Sequence, residues 1–297
     1  MLQNTFIHIP GIGIKSEQAF WEKGIRSWDD FLAAEDIGSS KKKTEKMKIS
    51  IKESQEQLQS GNVHYFAERL PQKEYWRFFS EFRDKTAYLD GFATDLDPWM
   101  HPIPVITIFN GKDITSYVRG KNLDDILEDI KKYSLIVTHS GTRVAFPFIA
   151  MNLGLAIKQV HIDLQYILPK LGYKGGLLGA EKAVGIDRKE LSGLDGYGGL
   201  LLWEEYRDKK NEKALEALMA MSAYDAVSLE TLMVHVYNCK VKQMPLEGIG
   251  LLPIPDYPEI PFKADIETIN NLDWMSLMEK GKPYTDHPGF YYSRGII

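Results

Sequence analysis

The hydrophobic pattern changes period several times along the chain, and each change marks an element. From Thr86 the residues Thr-Ala-Tyr-Leu are apolar or β-prone and stop at Asp90 before Gly91, so a buried strand ends on an acid. Two β-rich runs, 104–109 and 113–118, flank Asn110-Gly111, a strong hairpin signal, and predict antiparallel strands. A helical stretch at 123–130 precedes a buried strand at 135–137, and a further strand at 160–168 contains Asp163. The longest periodic segment runs from 212 to about 237. Its residues Leu215, Leu218, Met219, Ser222, Ala226, Leu229, Leu232 and Met233 recur at spacings of three and four, and Asp225 falls on the same stripe. A carboxylate facing a core is costly alone, so Asp225 requires a cation, a hydrogen-bonded partner or a cleft.

The two ends read differently. Residues 6–32 contain a Gly11-Ile12-Gly13 turn feeding an amphipathic helix, a stop at Gly24 and a second short helix after Ser27. This resembles a helix-hairpin-helix element, in which glycine-turn amides at a helix N-terminus meet a phosphate, with Gly11, Gly13 and Lys15 as the nucleic-acid contacts. The alternative is a turn that packs Ile9, Ile12, Phe20, Trp21 and Trp28 into a small helical cap. Residues 41–70 are charged and helical, with Lys41, Lys42, Lys43, Lys46 and Lys48 near the start. Interleaved glutamates fit a solvated face, and a nucleic-acid patch is the second reading. Beyond Lys240, seven of the fourteen prolines lie between Pro245 and Pro288. That stretch predicts an extended wrap, a helix at 266–278 and an aromatic tail (Tyr284, Phe290, Tyr291, Tyr292) that docks on the domain or on a protein partner.

At 297 residues the chain has room for one α/β domain of about 200 residues with smaller additions. The divisions expected are a cap at 1–37, a helical connector at 38–85, the main domain at 86–240 and a C-terminal extension at 241–297. A net charge of −5 gives the whole molecule no electrostatic advantage toward nucleic acid, so such a partner requires a local basic patch. The single cysteine, Cys239, excludes an intramolecular disulfide framework and a cysteine-rich zinc site. The first residues lack a signal-peptide pattern and no uninterrupted apolar run approaches ~20 residues, so the expectation is a cytoplasmic protein without a membrane partner.

The segment YLDGFATDL at 88–96 resembles YLDIETTGL of the RNase H-like, DEDD-type 3′–5′ exonucleases, in their stand-alone predicted-exonuclease branch of bacteria and archaea. The likeness continues in VTHSGTRVAFPFIA (137–150) beside VTFNGKRFDLPFL, in GLLGAEKAVGI (176–186) beside GLKAIEKQLGI, and in MSAYDAVSLE (221–230) beside YNREDVVNLE. It covers about residues 5–238. The fold this implies is α/β: an RNase H-like mixed sheet, three antiparallel strands followed by parallel ones, flanked by helices. The helix-hairpin-helix-like cap and Pro-rich extension complete it.

The resemblance also implies four carboxylates holding two magnesium or manganese ions. Asp90 and Asp225 occupy two of those positions and are the candidate catalytic and metal-ligating residues. Phe92 and Ala145 stand where the other two acids are usual, and Met221 where a tyrosine orients the attacking water. Asp163 and Asp95 are possible extra acids, and His139 and Ser140 replace the usual Phe and Asn. The implied protein is a degenerate 3′–5′ exonuclease homologue, holding Mg or Mn if any ion and retained for binding DNA or RNA. The alternatives are an active exonuclease with a rearranged metal site and a protein-interaction scaffold.

Overall fold

The computed structural model describes residues 1–93, 103–192 and 194–272. The chain forms two compact units, Met1–Asp84 with Val234–Pro253, and Lys85–Met233 with Ile254–Ile297.

In the first unit, Gly11 turns the chain with φ +85°, a conformation that side chains with a Cβ resist, and α1 (Ile14–Glu22) follows. A second left-handed glycine, Gly24, ends it, and α2 (Trp28–Ala33) starts at a capping box in which Ser27 and Asp30 exchange side-chain and backbone hydrogen bonds. Then come α3 (Lys41–Gln59), α4 (Val63–Ala67) and α5 (Phe79–Phe82). The aromatic positions of the first helices converge, with Phe6, Phe20 and Phe31 in mutual ring contact and Trp28 stacked on Phe66. Glu17 is buried on the inner face of α1. It accepts the Phe6 N–H at 2.6 Å and the Arg77 guanidinium at 2.9 Å, which ties the chain before the glycine turn to the aromatic connector.

The second unit holds five strands: β1 (Thr86–Phe92), β2 (Val105–Phe109), β3 (Ile114–Val118), β4 (Leu135–Thr138) and β5 (Val160–Asp163). Their order is β3-β2-β1-β4-β5. β1, β2 and β3 pair antiparallel, and β1, β4 and β5 pair parallel, which is the mixed sheet expected. The hairpin loop is one residue longer than the expected strands 104–109 and 113–118 leave. The register pairs Phe109 with Ile114, leaving Asn110 to Asp113 in the loop, because the Asn110 side chain accepts the N–H groups of Lys112 and Asp113. The strand expected over 160–168 stops at Asp163, whose carboxylate accepts the Gln165 N–H and starts a short 3-10 turn.

Helices α6 (Ile126–Asp129), α7 (Ala145–Leu153), α8 (Gly176–Val184), α9 (Gly196–Lys209), α10 (Glu212–Lys242) and α11 (Ile266–Asn270) complete the described chain. α10 continues five residues past the expected end at 237, and its most apolar window is 94% buried, as in a core helix. Of the helix expected at 266–278, α11 is the helical part among the described residues; the late aromatics Tyr284, Phe290, Tyr291 and Tyr292 lie outside them.

Strand alternation sorts β1 onto two apolar layers. Ala87 and Leu89 join Ile106, Ile108, Ile136 and the α7 residues Phe148 and Ile149. Phe92 joins Val105 and Val118 with Leu201 and Leu202 of α9 and Leu215, Leu218 and Met221 of α10. Asp90 shares the face of Phe92 and meets α10.

Candidate active site

Asp90 lies near the carboxyl end of β1, where its Oδ2 accepts a hydrogen bond from the Ser222 hydroxyl of α10 at 2.7 Å. Ser222 and Asp225 are three residues apart and so share one face of that helix. Asp225 is buried, and its partner is a cation supplied by the protein. Arg188, in the turn that follows α8, donates to Asp225 Oδ1 through Nη2. The same guanidinium reaches Glu181 of α8 through Nε at 2.7 Å and Nη2 at 2.6 Å. All three side chains are at most 8% exposed. Burial acts against the charge on Arg188, but Asp225 and Glu181 together raise its pKa and hold it protonated. Burial pushes Glu181 above the ordinary carboxylate range, against the downward pull of Arg188.

This partner could not be read from the pattern around Arg188, which sits in a short polar turn. Glu181 did leave a signal: it lies on the buried side of α8 with Leu177 and Ala180, a charge on an apolar stripe like Asp225 itself.

The remaining positions are apolar and filled. Phe92 is 3% exposed and packs so closely on α9 that a Cβ at Gly199 would overlap its ring. Met221 is buried in the same cluster. Ala145 belongs to the other layer: a Cβ at Gly91 would come within 3.0 Å of the Ala145 Cβ, so position 145 faces the side of β1 away from Asp90. Asp163 is occupied with backbone, accepting the N–H groups of Ser140 at 2.8 Å, Thr142 at 3.3 Å and Gln165 at 3.1 Å. Those bonds shape the β4–α7 turn and the exit of β5. Asp95 lies outside the described residues. Among the described residues, no group of three or more His, Cys, Asp or Glu side chains is placed to hold a metal ion. That donor set does not fit a two-metal oxygen cage.

In the other unit, Gly13 precedes α1 in extended conformation, and Lys15 is exposed in the first turn. Lys43 approaches the glycine turn, its Cε 3.6 Å from the place a Gly11 Cβ would take. Lys41, Lys42, Lys43 and Lys46 are exposed. Lys48 is not part of that group: its ammonium donates to the carbonyls of Leu32 and Ala34, both at 2.8 Å, and satisfies the end of α2.

Comparison with known families matches residues 87–237 to a model described as the RNase H superfamily. The chain belongs to the RNase H superfamily. The match spans the sheet and most of α10, and stops short of the Pro-rich extension. Among curated proteins, no match is found. Among solved structures, this RNase H-fold chain is similar to the family B DNA polymerase from the hyperthermophilic archaeon Pyrobaculum calidifontis. The identity is 12% and the TM-score 0.40, over 52% of this chain and 25% of the polymerase chain.

Proposed function

We propose that this RNase H superfamily member is a degenerate 3′–5′ exonuclease homologue that has lost the two-metal reaction and keeps nucleic-acid binding. The observation that carries the reading is the buried Glu181–Arg188–Asp225 cluster. A guanidinium fixed on Asp225 supplies the positive charge that a divalent ion would otherwise bring, and it cannot polarise a water as an ion does. Apolar Phe92 and Ala145 remove the other acids, and Ser222 engages Asp90. Binding is supported by the superfamily and by the exposed lysines beside the glycine turn. Magnesium or manganese has no role in this reading.

The test incubates labelled single-stranded DNA and RNA with Mn²⁺ and either the natural protein or Asp90→Ala, and follows binding by fluorescence anisotropy. Salt-sensitive binding without degradation by either protein is expected. Degradation by the natural protein that disappears in Asp90→Ala would overturn the loss of chemistry, and absence of binding would overturn its retention. Restoring Phe92→Glu and Ala145→Asp together is not expected to regenerate activity, because Arg188 still occupies Asp225 and position 145 faces Gly91.

A further inference from the structure

Beside the Arg188 cluster, and within the same unit, lies a cavity of about 580 Å³. Its walls are the turn after α8, with Asp187 and Lys189, the α10 face at Tyr224, and the segment 254–260 with Tyr257 and Glu259. That last wall lies beyond the matched residues 87–237.

The aromatic wall is fixed in place. The rings of Tyr224 and Tyr257 stack with centroids 5.9 Å apart and 29° between planes. The Tyr257 hydroxyl donates to the Tyr224 carbonyl at 3.3 Å and lies 3.3 Å from the Ser228 hydroxyl. Burial raises both phenols, so they stay protonated at neutral pH. Tyr257 remains 36% exposed.

The charges at the rim narrow the ligand. Asp187 and Glu259 carry two negative charges against one positive on Lys189, a balance that disfavours a phosphate and favours a group bearing N–H donors and no negative charge. The volume suits a nucleoside-sized ligand. A planar face to stack on a tyrosine, amino hydrogens for carboxylates and no charge describe a nucleobase.

We propose that the cavity takes one unpaired, amino-bearing nucleobase (adenine, cytosine or guanine) of a bound single strand, with its phosphates left outside. This rests on the nucleic-acid-binding reading above, and free nucleosides separate the two because they carry no phosphate. The experiment records saturation-transfer NMR of adenosine, cytidine and thymidine with the full chain, alongside anisotropy of a labelled oligo-dC. Signals from adenosine and cytidine exceeding thymidine are expected. Tyr257→Leu should abolish them and weaken the oligonucleotide about tenfold, the loss of one stacked base. Glu259→Gln, at an exposed position that leaves the fold intact, should narrow the preference over thymidine. Oligonucleotide binding with no nucleoside signal and no effect of Tyr257→Leu would overturn the cavity's role and leave the binding reading standing. Nucleoside signals without oligonucleotide binding would overturn the binding reading and leave the cavity as a nucleoside site.

Discussion

Arg188 sets the charge balance of two buried carboxylates, Glu181 and Asp225. Glu181 and Asp225 are both buried against it, so removing the guanidinium leaves two carboxylates with no cation in a site of low polarity. Breaking a buried pair in this way costs about 3–5 kcal/mol, so Arg188→Leu is expected to be destabilised by that much at pH 7.5. The loss should depend on pH. Burial already holds Glu181 above its reference value of 4.5, and losing Arg188 removes the main force pulling it down. An acid whose folded pKa exceeds its unfolded one binds more protons folded than unfolded. Its protonation therefore favours the folded state as pH falls through the folded pKa, and that contribution is lost as pH rises. Urea denaturation of Arg188→Leu should show part of the deficit recovered at pH 5.5. A deficit equal at both pH values would mean that lost packing, not stranded charge, accounts for it.

The turn between β4 and α7 holds local backbone strain in place by hydrogen bonds. Ser140 holds φ +67°, a left-handed conformation that costs a residue with a Cβ about 1–2 kcal/mol. The turn is kept in that shape by the Thr138 hydroxyl, which accepts the Gly141 N–H at 2.9 Å, and by Asp163 on Ser140 and Thr142. The exonuclease segment that residues 137–150 resemble carries Asn here, a residue that tolerates the left-handed region better. Ser140→Gly should raise stability by about 0.5–1 kcal/mol, less than the full strain because glycine also loosens the unfolded chain. Thermal denaturation reads the change, and a decrease would show that the hydroxyl's contact with His139, 3.4 Å away, outweighs the strain. At this scale much was legible beforehand. Runs of apolar and β-prone residues located β1 and β4, Asn110-Gly111 the hairpin and three-four spacing α10, and a carboxylate on the α10 stripe marked Asp225 as needing a partner. What stayed hidden was held by pairings across sequence. Arg188 is 37 residues from Asp225, Asp163 turns inward at β5 because it serves amides 21 and 23 residues away, and Lys48 leaves the lysine row for carbonyls 14 and 16 residues back. No local pattern records such distances.

For the molecule as a whole, a net charge of −5 repels a polyanion at long range, so affinity must arise from local charge and must show itself as a salt dependence. The exposed lysines at 41, 42, 43 and 46 form one such group among the described residues, with Lys48 already committed to α2. Each phosphate neutralised on a single strand contributes a slope of about −0.7 to log K against log salt, so engagement of the four lysines predicts a slope near −3. Replacing three of them, as Lys42→Glu, Lys43→Glu and Lys46→Glu together, should flatten the slope by about 2 and leave the denaturation midpoint nearly unchanged, because all three side chains are solvated. A slope unchanged by this variant would move the phosphate contacts away from the glycine turn and α3. The same titration separates two kinds of cation dependence. Mg²⁺ competes for phosphates as any salt does, whereas an ion required at the Asp90–Asp225 face would raise affinity as it is added. With Arg188 fixed on Asp225, only the competitive effect is expected, so affinity should fall steadily from the first addition of Mg²⁺. An initial rise at low Mg²⁺ would mean that a divalent ion still finds ligands beside Asp90, and the charge supplied by Arg188 would then be insufficient to have replaced it.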